Sequence, residues 1–92
     1  VDPRVPLDAQ KPRDLRWIRE PFLSHTEPLG PVVVHGHTIT ESPEDCGNRI
    51  GIDTGAFMSG RLTAIVLEGT ARRYIEAIEK DDGNVAVAPV TA

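Results

Sequence analysis

The stretch Val-Val-Val-His-Gly-His-Thr, at residues 32–38, decides how the middle of this 92-residue chain folds. Its three consecutive β-branched residues predict a strand over residues 32–35 that is covered on both faces. The glycine and histidines that follow predict a turn at the end of that strand. A second stretch, Arg-Ile-Gly-Ile-Asp at residues 49–53, predicts another strand, in which Gly51 allows close approach of a neighbouring backbone.

A helix is predicted before these strands, over residues 12–23, with a break near Pro21. Leu15, Ile18 and Phe22 recur there at spacings of three and four, which places them on one face of a helix. The proline at residue 12 suits the first turn of a helix, because that position needs no amide proton.

Strands are predicted to dominate the rest of the chain. Residues 61–68 alternate most clearly, and Glu-Gly-Thr at residues 68–70 predicts a hairpin turn. Residues 71–77 are predicted to return as a strand, with a helix as the alternative because Tyr74 and Ile78 are also helix-spaced. A further short strand at residues 39–41 is an option within an otherwise polar loop. One helix followed by three or four mostly antiparallel strands indicates an α+β fold.

The two ends of the chain are predicted to differ from its middle. Pro3 and Pro6 indicate an extended connector, and with no initiator Met this start predicts that the chain continues a longer protein. We expect residues 1–79 to form one domain portion. Residues 80–92 combine an acidic Gly-Asn turn with small residues, which predicts a disordered tail.

Composition argues against several function classes. The net charge is -4, and the ten Lys and Arg residues are scattered, so nothing favours nucleic-acid binding. The longest apolar run is far short of the roughly 20 residues that a membrane span needs. Residues near the start of the sequence lack the apolar segment of a signal peptide, so a signal peptide is not predicted. The single cysteine, Cys46, excludes an internal disulfide and a thiolate-rich zinc site, and it favours a reduced, cytoplasmic setting.

His35 and His37 are the candidate metal-binding side chains. If the strand continued through them, both would point to the same side, roughly 6.6 Å apart along the strand. That spacing suits one metal ion or two adjacent ions. A His-X-His pair is weak evidence when taken alone, and structural or surface histidines are the alternative.

Three motifs together resemble the calcineurin-like metallophosphoesterases, and most closely the bacterial serine/threonine protein phosphatases and diadenosine tetraphosphatases. The first motif, Gly36-His37-Thr38, resembles the family's last metal-binding turn and implies that His37 binds one of two metal ions. Residue 39 is Ile, where the longer Gly-His-X-His form has a second His, which agrees with the protein-phosphatase branch. His35 is not a usual ligand; the alternatives are that it orients water or substrate, or fills the strand end.

The second motif, residues 15–23, is similar to the Leu-Trp-X-Arg-Glu segment of those phosphatases. It implies that Arg19 binds the substrate phosphate, since a guanidinium fits two phosphate oxygens. An ion pair between Arg19 and a nearby acid is the alternative. The third motif, residues 49–56 followed by Gly-Arg-Leu-Thr at 60–63, resembles the strand pair beside the active-site rim. Asp53 is a candidate to hold the metal-binding histidine in position without contacting the metal ion. The alternative is that Asp53 only closes its own turn.

The resemblance covers roughly residues 1–77 and implies the C-terminal part of an α/β/β/α sandwich. It implies hydrolysis of phosphate monoesters by water activated between two divalent metal ions, with phosphoproteins or dinucleoside polyphosphates as substrates. Manganese is the family's preference, although imidazole also suits iron or zinc. The family's earlier motifs, Gly-Asp-X-His-Gly, Gly-Asp-X-X-Asp-Arg-Gly and Gly-Asn-His-Glu, do not occur in the sequence. We therefore expect the chain alone to be inactive.

Two hypotheses of different class follow. In the first, the chain is part of an enzyme and is completed by a missing N-terminal half. In the second, it is a non-catalytic β-rich interaction module. The exposed strand and the small core argue against the second hypothesis, because an unpaired edge at residues 32–34 favours aggregation. A partner that supplies neighbouring strands, either the missing half or another copy of the chain, removes that problem.

Overall fold

A computed structural model describes residues 1–90. Within them lie two short helices and two three-stranded sheets, in which antiparallel pairs outnumber parallel ones, and the predicted α+β fold is confirmed. In chain order the elements are a 3-10 turn (Leu7–Ala9), helix α1 (Pro12–Trp17), strands β1 (Val33–His35), β2 (Glu44–Asp45) and β3 (Arg49–Gly51), helix α2 (Ala56–Ser59), and strands β4 (Arg61–Glu68), β5 (Ala71–Glu79) and β6 (Val85–Val90).

The first sheet has the order β1-β3-β2, with β1 parallel and β2 antiparallel to the central β3. All three residues of β3 are buried, whereas β1 is an edge strand in which Val34 is 39% exposed. The prediction that the β-branched run is covered on both faces is therefore wrong for the described residues. β3 is the most buried strand of this sheet because it is the one with a neighbouring strand on each side. The short strand considered at residues 39–41 is absent from residues 1–90, and β2 forms slightly later in the same loop.

Helix α1 ends at Trp17, earlier than the predicted end at residue 23. Ile18 is already extended, and residues 20–24 form turns. Pro21 has no amide proton to donate and cannot lie inside a continuing helix. Phe22 has the apolar spacing that predicted a longer helix, but it lies in this turn. Its side chain is in the interior, where it is 3% exposed.

The second sheet has the order β4-β5-β6, and all its pairs are antiparallel. β4 has the predicted bounds, and residues 69–70 connect it to β5, which pairs along its whole length, so the helix alternative is wrong. Residues 85–90 form β6 where a disordered tail was expected. The acidic turn closes this hairpin, because Asp82 accepts a bond from the Asn84 amide (2.9 Å) and Gly83 supplies a φ of 83°. Residues 91–92 of the expected tail lie outside the described residues.

The two sheets differ in how much of them is covered. Among residues 1–90, the buried hydrophobic side chains are Phe22 and Ile50, and Ile50 lies in β3. One face of the second sheet meets the segment that follows β3, where buried Thr63 lies against Thr54. The opposite face, called the outer sheet face below, is mostly exposed and largely apolar. Its apolar side chains are those of Leu62, Ala64, Val66, Ile75, Ala77, Val85 and Val87, and Arg73 and Glu79 lie on the same face.

Polar contacts join the second sheet to the segment after β3 and to β2. The Thr54 hydroxyl donates to the Arg61 carbonyl (2.8 Å) and lies 2.8 Å from the Thr63 hydroxyl. On the surface, Arg72 of β5 donates to Asp45 of β2 (2.6 Å). Across residues 1–90, no helix has the length and apolar character needed to cross a membrane.

Candidate functional site

The turn after β1 is shaped by hydrogen bonds to Asp53. β1 ends at His35, and His37 has a φ of 69°, so the condition for a same-side histidine pair on a continuing strand is not met. The Asp53 carboxylate accepts bonds from the amides of His37 (2.8 Å) and Gly55 (3.0 Å). The Asp53 carbonyl accepts another from Thr40 (3.0 Å). Asp53 therefore closes its own turn and also fixes the backbone that carries His37.

The imidazole of His37 is exposed and lies at the rim of a cleft. It packs edge-to-face against Trp17, with 4.5 Å between the ring centroids. No side chain or backbone group within residues 1–90 hydrogen bonds to its ring nitrogens. Those nitrogens are therefore free to bind an external group.

His35 is in a different situation, because both of its ring nitrogens have partners. Nε2 lies 3.0 Å from Nη1 of Arg49, and Nδ1 lies 3.2 Å from the Gly36 carbonyl. The ring packs edge-to-face on Phe22 (5.0 Å) and covers Gly51, where an added Cβ would lie 3.4 Å from it. Burial lowers the pKa of His35, against the opposing effect of its bond to Gly36. Of the roles considered for His35, these contacts match filling the strand end.

Arg49 is the residue that sequence reasoning did not assign a role. Its side chain is 8% exposed, and Nη2 donates to Glu44 (2.8 Å) and to the Leu23 carbonyl (3.4 Å). The guanidinium also lies over the Phe22 ring, 5.9 Å from its centroid. The bond from Arg49 lowers the pKa of Glu44. A charged residue in the strand predicted at residues 49–53 was the signal that could have indicated this role.

Arg19 lies two residues beyond α1, and its side chain is exposed. The alternative of an ion pair is not observed, since no acid within residues 1–90 pairs with Arg19. Its carbonyl accepts a bond from the Leu23 amide (2.7 Å), which fixes the turn that carries it. The guanidinium is therefore free to bind an anion.

Three of the four predicted site residues line one cleft of about 610 Å³. Its walls include Trp17, Arg19 and Phe22 on one side, and Val34, His35 and His37 on the other. Asp53 does not line this cleft; it faces a separate hollow behind Gly36. The structure thus brings Arg19 and the two histidines together and places Asp53 behind the turn.

The described side chains do not form a metal site by themselves. In the described part of the chain, no three His, Cys, Asp or Glu side chains converge to hold a metal ion. The free nitrogens of His37 offer a single ligand position.

Comparisons of the chain with protein-family models, with curated proteins and with solved structures found no match. The residues and geometry of the cleft are therefore the basis for a functional proposal.

Proposed function

We propose that this chain is the C-terminal portion of a calcineurin-like, metal-dependent phosphoesterase of the cytoplasm that hydrolyses phosphate monoesters. One observation carries the proposal. Arg19 and His37 belong to separate segments, yet they line the same cleft, and neither functional group is paired within residues 1–90. An unpaired guanidinium and an unpaired imidazole in the lining of one cleft suit the binding of a phosphate group and a metal ion.

Arg19 is the group that binds the substrate phosphate in this proposal. Its planar guanidinium can donate two parallel bonds to phosphate oxygens and offset their charge. Substrates of the proposed class are phosphoproteins or dinucleoside polyphosphates. Trp17 lines the same cleft and packs edge-to-face against His37.

His37 provides one ligand to one of two divalent ions, with manganese as the preferred candidate. The imidazole fits because its nitrogens are free and its backbone is fixed by Asp53. Two ions in such a site supply an activated water and neutralise the transferred phosphoryl group. The remaining ligands belong to the missing N-terminal half, so this chain alone is inactive.

The proposal also includes a macromolecular partner that covers the open edge of β1 and the outer sheet face. Val34 on the open edge of β1 is 39% exposed, and on the outer sheet face Leu62 is 63% and Val87 70% exposed. Contiguous apolar surface of this kind favours a macromolecular neighbour. The missing N-terminal half is the first candidate for it, and another copy of the chain is the second. Neither nucleic acid nor a membrane is proposed as a partner.

The outer sheet face also favours a second candidate function, a non-catalytic β-rich interaction module. In that case the chain folds by itself, binds a protein through this face and is indifferent to metal. The cleft residues then have no chemical role. The two functions predict different results for His37→Ala and Arg19→Ala. Only the phosphoesterase proposal predicts that these variants lose phosphatase activity.

Hydrolysis of p-nitrophenyl phosphate with added Mn²⁺ tests the proposal. The full 92-residue chain is assayed alone and mixed with a polypeptide that carries the three missing motifs. We expect activity only in the mixture, and a loss of roughly a hundredfold with His37→Ala or Arg19→Ala. His25→Ala and Arg13→Ala are matched controls outside the cleft, and we expect them to keep full activity.

Absence of activity in the mixture, with a folded chain that does not respond to metal, contradicts the phosphoesterase proposal and favours the interaction module. Equal loss with the control variants contradicts the assignment of His37 and Arg19.

A further inference from the structure

Arg49 contacts three segments that are far apart in the sequence. It bonds to His35 at the end of β1 (3.0 Å) and to Glu44 in β2 (2.8 Å). It also reaches the turn after α1, through the Leu23 carbonyl (3.4 Å) and the ring of Phe22. One guanidinium therefore connects the two walls of the cleft.

The contact with His35 fixes the chemical form of that imidazole. Arginine stays protonated and can only donate hydrogen bonds, so Nε2 of His35 has to be an unprotonated acceptor. The proton of the neutral ring then lies on Nδ1, which donates to the Gly36 carbonyl (3.2 Å). With both nitrogens occupied, His35 has no lone pair left for a metal ion.

The same guanidinium fixes the position of the phosphate-binding side of the cleft. The Leu23 amide donates to the Arg19 carbonyl (2.7 Å), and the Leu23 carbonyl accepts from Arg49. Because Phe22 packs against both Arg49 and His35, the turn carrying Arg19 rests on the end of β1.

From these contacts we infer that Arg49 is a positioning residue for the cleft. It holds the turn of Arg19 against the end of β1, and it keeps His35 in the Nδ1–H form, so that of the two histidines in the cleft only His37 is available to a metal ion. The statement about the metal ion rests on the proposed function. The tautomer and the positioning do not rest on it.

Long-range ¹H–¹⁵N spectra of the imidazoles test this inference on the full chain. The chain has three histidines, so one His→Gln variant at each position assigns them. We expect the wild-type chain to show His35 with its proton on Nδ1. An excess of Zn²⁺, used as a diamagnetic probe, then shifts the ring nitrogens of His37 and leaves those of His35 unchanged.

Arg49→Met keeps the length of the side chain and removes its donors. We expect His35 to lose the Nδ1–H signature in this variant and to shift with Zn²⁺. The response of the Arg19 Nε–H signal to inorganic phosphate also weakens. Arg49→Lys restores one donor, and we expect it to recover part of the wild-type tautomer. Arg61→Met is the control, because Arg61 donates to the Glu41 carbonyl (2.8 Å) and does not touch His35.

A wild-type His35 that carries its proton on Nε2 overturns the inference without any variant. So does a folded Arg49→Met chain in which His35 keeps the Nδ1–H form. If Arg49→Met does not fold, the wild-type spectrum and Arg49→Lys decide the outcome. A chain with the expected tautomer in which neither Zn²⁺ nor phosphate affects His37 or Arg19 contradicts the proposed function instead, and the positioning role of Arg49 stands.

Discussion

The two sheets of this chain are held in shape by different means. The first sheet has strands of two or three residues, and its geometry depends on side-chain bonds made by Arg49 and Asp53. The second has strands of eight, nine and six residues in a continuous antiparallel ladder. The part that carries the candidate chemistry thus depends on a few particular polar residues. The other part depends on alternation and local turns.

Burial follows the same division. Every residue of β3 is buried, whereas in the second sheet only Thr63 is buried among the described residues. The first sheet therefore contributes most of the internal packing, and the second presents an apolar face to a neighbour. Three predictions test this difference, in order of decreasing effect.

The largest effect is expected from shortening Ile50, which is 1% exposed. We expect Ile50→Ala to lower the free energy of unfolding by about 2–5 kcal/mol, because it removes buried methyl groups and leaves a cavity. Urea unfolding followed by circular dichroism measures the change. Leu62→Ala on the outer sheet face is the matched variant, with an expected change within about 0.5 kcal/mol. Similar losses in the two variants contradict the contrast between the sheets.

A smaller effect is expected where the segment after β3 contacts the second sheet. Thr54→Val keeps the shape of a buried side chain but removes its bonds to the Arg61 carbonyl and to Thr63. We expect a loss of about 1–3 kcal/mol, since buried polar groups are left without partners. The double variant Thr54→Val/Thr63→Val is expected to lose less than the sum of the two single variants. Strict additivity in the same urea experiment argues against a shared contact.

The smallest effect is expected from the surface pair of Asp45 and Arg72. Bonds from the Gly47 amide and from Arg72 lower the pKa of Asp45 from its ordinary value of 3.8. Since the folded state favours the ionised form, this contribution is present above that ordinary value and is lost as the pH falls through the lowered pKa. Both side chains are about one-third exposed or more, so the pair is worth less than about 1 kcal/mol and weakens with salt.

Asp45→Asn tests this pair through urea unfolding at several pH values and salt concentrations. The variant keeps an acceptor for the Gly47 amide and loses the charge opposite Arg72. We expect a small loss at neutral pH that disappears in acid and in high salt. Asp8→Asn, in the exposed 3-10 turn, is the control. A loss that persists at high salt contradicts an electrostatic origin.

Much of the second sheet was predictable because its signals are local. The alternation of apolar and polar residues predicted the bounds of β4. The glycine turn after it predicted that β5 pairs with β4 as a hairpin. β6 was missed because its small residues resemble a disordered tail, and its pairing with β5 depends on a neighbour that the segment itself does not reveal. Helix α1 was predicted too long because Phe22 keeps helical spacing while lying in a turn.

The site was predictable only in part. The motifs predicted His37 and Arg19 as functional side chains, and the structure places both in one cleft. Their metal and phosphate roles stay predictions. Arg49 was missed because its partners, Leu23, His35 and Glu44, are brought to it by the fold, and no local spacing marks such contacts.

The connections within the two sheets have a consequence for the order of folding. β4 and β5 are joined by a two-residue turn at Gly69, and hairpins of this kind form in roughly 1–10 μs. β1 and β3 are parallel, so they meet only after the loop of residues 36–48 has closed, which is slower. We expect pulse-labelled amides of β4 and β5 to be protected before those of β3, and the reverse order contradicts this. The hairpin, which bears neither His37 nor Arg19, is then formed before the cleft is complete.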